Sequence, residues 1–94
     1  MRALTWDDFA GTEGAAWQVD GEGQPSVELV LEQAVELPSA VRAEGSFRLE
    51  FRGPFEPILP QAIYQFRSGD ECHDIFIVPV GRDDRGARYE AVFN

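Results

Sequence analysis

The stretch Phe47-Arg48-Leu49-Glu50-Phe51-Arg52-Gly53-Pro54 decides the class of fold. Phe47, Leu49 and Phe51 alternate with Arg48, Glu50 and Arg52. A period of two places the apolar side chains on one face of an extended strand and the charged ones on the other. The Arg-Glu-Arg face suits water and cross-strand ion pairs, which is the signature of an antiparallel sheet with one buried face. Gly53-Pro54 stops the strand, because proline donates nothing to a ladder and glycine clears a tight bend of its side chain.

Beyond this strand the chain reads as a loop punctuated by Pro54, Pro57 and Pro60, with Phe55, Ile58 and Leu59 between them. A loop that apolar is expected to pack back across the open end of the sheet. Ala62, Tyr64 and Phe66 then alternate with Ile63, Gln65 and Arg67 as a further strand, and Ser68-Gly69-Asp70-Glu71 turns it around. Gln61 and Tyr64 are placed to hydrogen-bond the unpaired carbonyls of the proline loop. The return, residues 72–80, contains Ile75-Phe76-Ile77-Val78, apolar on both faces, so this strand is expected to be central and covered on two sides. A charged turn holding Asp83-Asp84-Arg85 leads to a last strand. There Tyr89, Ala91 and Phe93 share one face, and Glu90 on the other faces Arg48 or Arg52 as a partner. The chain end is expected to be paired.

Toward the N-terminus, Val27, Leu29 and Leu31 alternate with Glu28, Val30 and Glu32 in a strand running on to Val35 or Leu37, and residues 38–45 form a loop. Asp20-Gly21-Glu22-Gly23-Gln24-Pro25 is a turn, and Ala15, Trp17 and Val19 mark the strand before it, so the two make a hairpin. Residues 3–10 suit one or two helical turns. Thr5 caps them, Asp7 and Asp8 face the positive end, Trp6 and Phe9 pin the segment to the body, and Gly11 ends it. About six short strands with turns between them predict an all-β fold. We expect a single antiparallel barrel or roll over residues 1–94, with a short N-terminal helix. No connection is long and periodic enough for a parallel crossover.

The chain has 94 residues and 10.5 kDa, with 44% hydrophobic residues and eleven aromatics, too many for a solvated tail. Its basic residues are eight arginines and no lysine against seventeen acidic residues, a net charge of -9 and a pI near 4.4. Nucleic acid and anionic membrane are disfavoured as partners by that sign. Residues 1–8 lack the basic-then-apolar order of a secretion signal, and no apolar run spans a bilayer, so a cytoplasmic site is expected; export within a larger assembly stays open. Cys72 is alone, so the fold rests on its core without a disulfide.

Reactive chemistry finds little support. His73 follows Cys72 directly, and strand neighbours point to opposite faces, so they form no dyad; no second histidine completes a zinc site. None of Ser26, Ser39, Ser46 and Ser68 lies in a nucleophile elbow. Asp20 with Glu22, and Asp83 with Asp84, lack calcium-loop spacing, and Gly21-Glu22-Gly23 precedes no helix that would cradle a phosphate. The expectation is no enzyme, no cofactor and no metal. What remains is a surface for another protein, or for copies of this chain. Trp6, Trp17, Phe55 and Tyr64 are the candidate aromatic anchors, and Arg48 and Arg52 the charged ones. An open sheet edge at the first or last strand is the expected joint. The alternative is a small ligand or carbohydrate held in the barrel mouth by Trp17, Tyr64 and nearby arginines.

Four pieces together carry a resemblance: Phe47-Arg48-Leu49-Glu50-Phe51-Arg52-Gly53-Pro54, Leu59-Pro60-Gln61-Ala62-Ile63-Tyr64, Ile75-Phe76-Ile77-Val78-Pro79-Val80-Gly81 and Tyr89-Glu90-Ala91-Val92-Phe93-Asn94. The chain resembles a family of short bacterial proteins classed as a domain of unknown function, over nearly its whole length. No catalytic residue is carried over from that family. The resemblance implies neighbours with phage-tail-collar domains, and hence an accessory or assembly role in a tail-like particle or surface filament.

Overall fold

A computed structural model describes residues 4–38 and 45–93. It contains one 3-10 turn, Trp6–Asp8, and six strands: β1 (Ala16–Asp20), β2 (Val27–Glu36), β3 (Phe47–Gly53), β4 (Ala62–Ser68), β5 (Glu71–Asp83) and β6 (Gly86–Phe93). All pairings are antiparallel, and the ring closes in the order β1-β2-β3-β6-β5-β4. The fold is all-β, as the alternation predicts. The expected helix is shorter than its sequence suggests, a single 3-10 turn in which the Asp8 carboxylate accepts the Thr5 amide at 2.7 Å. Most of the expected 38–45 loop lies outside the described residues.

The ring consists of two three-stranded meanders, β1-β2-β3 and β4-β5-β6, joined through β3–β6 and β1–β4. Their middle strands are the longest, ten and thirteen residues, and each changes partner along its length. Residues 27–30 of β2 pair with β1, and residues 30–36 with β3. Residues 71–77 of β5 pair with β4, and residues 78–83 with β6. Each middle strand carries a register shift, between Leu31 and Gln33 and between Pro79 and Gly81, which bends the sheet enough to close six strands. β1 lies between β4 and β2, and β6 between β3 and β5, so neither the first nor the last strand is the open edge expected as a joint.

Inside, the inward residues of all six strands fill the barrel, among them Trp17, Leu29, Phe51, Phe66, Ile77 and Tyr89. One end is stoppered by the turn segment. Phe9 is fully buried, with its ring centroid 6.1 Å from those of Trp17 and Phe47, and Trp6 Nε1 donates to the Ala34 carbonyl at 3.1 Å. The proline loop crosses the other end, as expected. Leu59 is fully buried there, its amide donates to Tyr89 Oη at 2.9 Å, and Tyr64 Oη donates to the Pro60 carbonyl at 2.6 Å. Phe55 and Ile58 of the same loop face solvent. Gly53 has a packing reason: a Cβ there would lie 2.5 Å from Leu29 Cδ2, so the backbone is pressed onto the core.

β5 corrects the expectation of a strand covered on both faces. Ile75 and Ile77 are buried, but Phe76 is 48% exposed, because a barrel covers only the inner face of each strand.

Candidate functional site

The six anchor residues named from sequence separate into three environments. Trp17 and Tyr64 are 4% and 2% exposed and belong to the core, so neither offers surface to a partner. Trp6 is half-buried against the core, and Phe55 is exposed on the proline loop. Arg48 and Arg52 stand on the outer face of β3, inside a lattice of ion pairs.

That lattice covers the β2-β3-β6 side. Arg48 reaches Glu50 at 3.1 Å and Glu90 at 3.4 Å, and Arg88 reaches Glu50 at 3.0 Å. Arg52 is more enclosed and grips two carboxylates at once: Glu32 through Nε and Nη2 at 3.0 and 2.9 Å, and Asp83 through Nη1 and Nη2 at 2.6 and 3.1 Å. Arg85 adds a contact to Glu32 at 3.2 Å. The Arg52 guanidinium, joined by the Arg85 amide, holds the Asp83 carboxyl well below the usual carboxylate range; Arg52 likewise lowers Glu32, and its own proton is held more tightly. At the β1–β4 seam Asp20 is lowered by the Ser26 hydroxyl and by Arg67. Of the two partners expected for Glu90, Arg48 takes the role, while Arg52 is committed to Glu32 and Asp83.

Among the described residues, no three His, Cys, Asp or Glu side chains gather in a group able to hold a metal ion. His73 lies against the rings of Phe9 and Trp17 and has Nε2 3.0 Å from Glu71 Oε2, while Cys72 is exposed. A shallow groove of about 470 Å³ runs beside Val27, Val30, Pro54 and Pro57, with Arg52 and Arg85 at its side. Arg52 is already saturated by carboxylates, so it offers little to a ligand there.

The outer face of the other meander is different. Ile63 of β4 and Phe76 of β5 are cross-strand partners, 65% and 48% exposed. The β5–β6 ladder ends at Val78 and Glu90, and Val92 stands two residues further along β6, opposite Arg48 of β3. Val92 and Val80 are each nearly half exposed. A set of exposed apolar side chains thus spans three adjacent strands, with Ile63 and Phe76 directly paired. Together its four exposed side chains present roughly 300–400 Å², the size at which a monomer's largest apolar patch is often functional. None of the four was among the sequence-derived anchors, although their signal was present. Ile63 sits at an outward position of its strand, and the two-faced run Ile75-Phe76-Ile77-Val78 has its second apolar face on the outside of the barrel.

The arrangement defines a small closed antiparallel barrel with a packed interior, an ionic lattice over β2, β3 and β6, and exposed apolar side chains on β4, β5 and β6. The chain matches the model of a family described as Domain of unknown function (DUF6916) over residues 4–93, and it belongs to that family. Neither the comparison with curated proteins nor that with solved structures gives a match. No helix is long and apolar enough to cross a membrane among the described residues.

Proposed function

We propose that this barrel is a non-enzymatic interaction module that engages a protein partner through the outer face of β4, β5 and β6. The observation that carries the reading is the set Ile63, Phe76, Val80 and Val92, exposed on strands whose inward aromatic and aliphatic side chains fill the barrel; the other large exposed apolar side chains, Phe55 and Ile58, belong to the proline loop. Leaving such side chains in water stabilises nothing in the isolated fold, whereas covering them on association is favourable. Strand addition is unavailable to a closed ring, so docking is face to face. An accessory or assembly role in a tail-like particle or surface filament agrees with this reading and draws its support from the resemblance stated above.

Affinity capture with the wild-type chain and with the double variant Ile63→Ser/Phe76→Ser tests the proposal. The expected result is a discrete partner retained by the wild type and lost by the variant, with both proteins showing the same circular dichroism. Equal capture by both proteins, or none by either, overturns it.

A further inference from the structure

We infer that this chain pairs with a second copy of itself by exchanging halves, β4-β5-β6 of each copy closing the ring of the other, independently of the outer-face reading above. The ring divides naturally for such an exchange. β1-β2-β3 is one unbroken piece of chain and β4-β5-β6 another, and the chain passes between them once, through residues 54–61. Two seams hold the pieces together: β3–β6, which runs from Phe47 opposite Phe93 to Gly53 opposite Ala87, and the short β1–β4 ladder. Both seams form in the same way whether the two pieces belong to one chain or to two. The exchanged pair therefore keeps every ladder of the single barrel, together with the ion pairs of Arg48 with Glu90 and of Arg52 with Asp83.

What has to change is confined to a hinge. β3 and β4 lie on opposite sides of the ring, so the proline loop spans the barrel end to join them. The second part of that loop is already bound to the piece it leads into: the Leu59 amide donates to Tyr89 Oη of β6, and Tyr64 Oη of β4 donates to the Pro60 carbonyl. The first part is not. Pro54, Phe55, Glu56 and Pro57 are all exposed, and with the described residues they make no hydrogen bond or ion pair. Two prolines in this segment bias it toward extended backbone, so straightening it to reach a second barrel breaks no hydrogen bond. In dilute solution a chain meets its own second half first, and the exchanged pair gains as concentration rises.

Refolding the chain at about 1 mM and at about 10 µM tests this. Size exclusion with light scattering is expected to show a dimer after the concentrated refolding only. Diluted without unfolding, that dimer should persist for hours, because its return to single barrels requires both seams to open. A cysteine pair across the β3–β6 seam, Arg48→Cys/Val92→Cys with Cys72→Ser, reports which chain closes which ring. Oxidised in the dimer, the pair should join two chains covalently on a denaturing gel, whereas in the single barrel it closes within one chain. About six glycine and serine residues inserted between Phe55 and Glu56 should cut the dimer fraction several-fold with unchanged circular dichroism, because a longer hinge spans the barrel end freely. Ile63→Ser/Phe76→Ser should leave the dimer intact. No dimer after concentrated refolding, cross-links confined within chains, or a dimer fraction indifferent to the insertion overturns the inference. A dimer lost in the Ile63→Ser/Phe76→Ser variant is a face-to-face pair, which overturns exchange while keeping Ile63 and Phe76 as an interface. An exchanged dimer beside a failed capture test upholds the inference and sinks the outer-face reading alone.

Discussion

Tyr89 has two roles at the proline-loop end: its ring fills the interior, and its hydroxyl accepts the Leu59 amide. Tyr89→Phe keeps the ring and strands a buried N–H, a loss of about 1–2 kcal/mol in urea unfolding. Leu59→Ala removes the stopper itself and is expected to cost about 2–4 kcal/mol in the same measurement, since the lining of the cavity cannot collapse onto a loop held by two tyrosines. Gly86 is a backbone case. Its φ of 142° is unfavourable for any L side chain, and an added Cβ would collide with the Gly53 carbonyl oxygen. Gly86→Ala is therefore expected to lower stability by on the order of 2 kcal/mol or more, a larger loss than at the open position Gly23, where a Cβ meets nothing within 4 Å.

At the scale of strands, the ion pairs between β2, β3 and the β5–β6 turn respond to acid in a defined direction. Asp83 and Glu32 titrate lower in the folded chain than in the unfolded one. Their contribution is complete above the unfolded values near pH 4 and is lost as pH falls through the lower folded values. Thermal midpoints measured from about pH 5 to pH 2 should decline. Arg52→Gln should flatten that decline, because it removes the charge that depresses both acids. The alternation Phe47-Leu49-Phe51 against Arg48-Glu50-Arg52 made this face legible from sequence, as far as Arg48 or Arg52 as the partner of Glu90, because period two fixes the side of every residue. Which acids Arg52 would grip was not legible, since Glu32 and Asp83 are brought to it by two register shifts that no local pattern announces. The exposed apolar side chains of β4, β5 and β6 were not legible for a related reason. A two-faced apolar run means a sandwiched strand in a layered sheet and an exposed outer face in a barrel, and only closure distinguishes them.

For the molecule as a whole, closure couples distant parts of the chain. Arg67 and Asp20, which tie the short β1–β4 seam, are 47 residues apart. No strand can leave without opening both of its neighbours, so unfolding should be a single cooperative transition. Tryptophan fluorescence reports from Trp6 and Trp17, near the turn segment, and far-ultraviolet circular dichroism reports on the whole sheet. Their denaturant midpoints are expected to coincide; a fluorescence change preceding the loss of sheet would show that the Phe9 stopper detaches on its own. A seam made from such distant residues also predicts slow assembly, in milliseconds to seconds, by stopped-flow.

Phe47 touches both Phe9 and Phe93, so the first and last described segments meet at one end of the barrel. A short linker joining them, with the backbone cut in the proline loop, would yield a circular permutant in which β4-β5-β6 precedes β1-β2-β3. Each meander would stay contiguous and every ladder would keep its register. The two halves of this domain are thus modular in their wiring, although neither can close a ring alone.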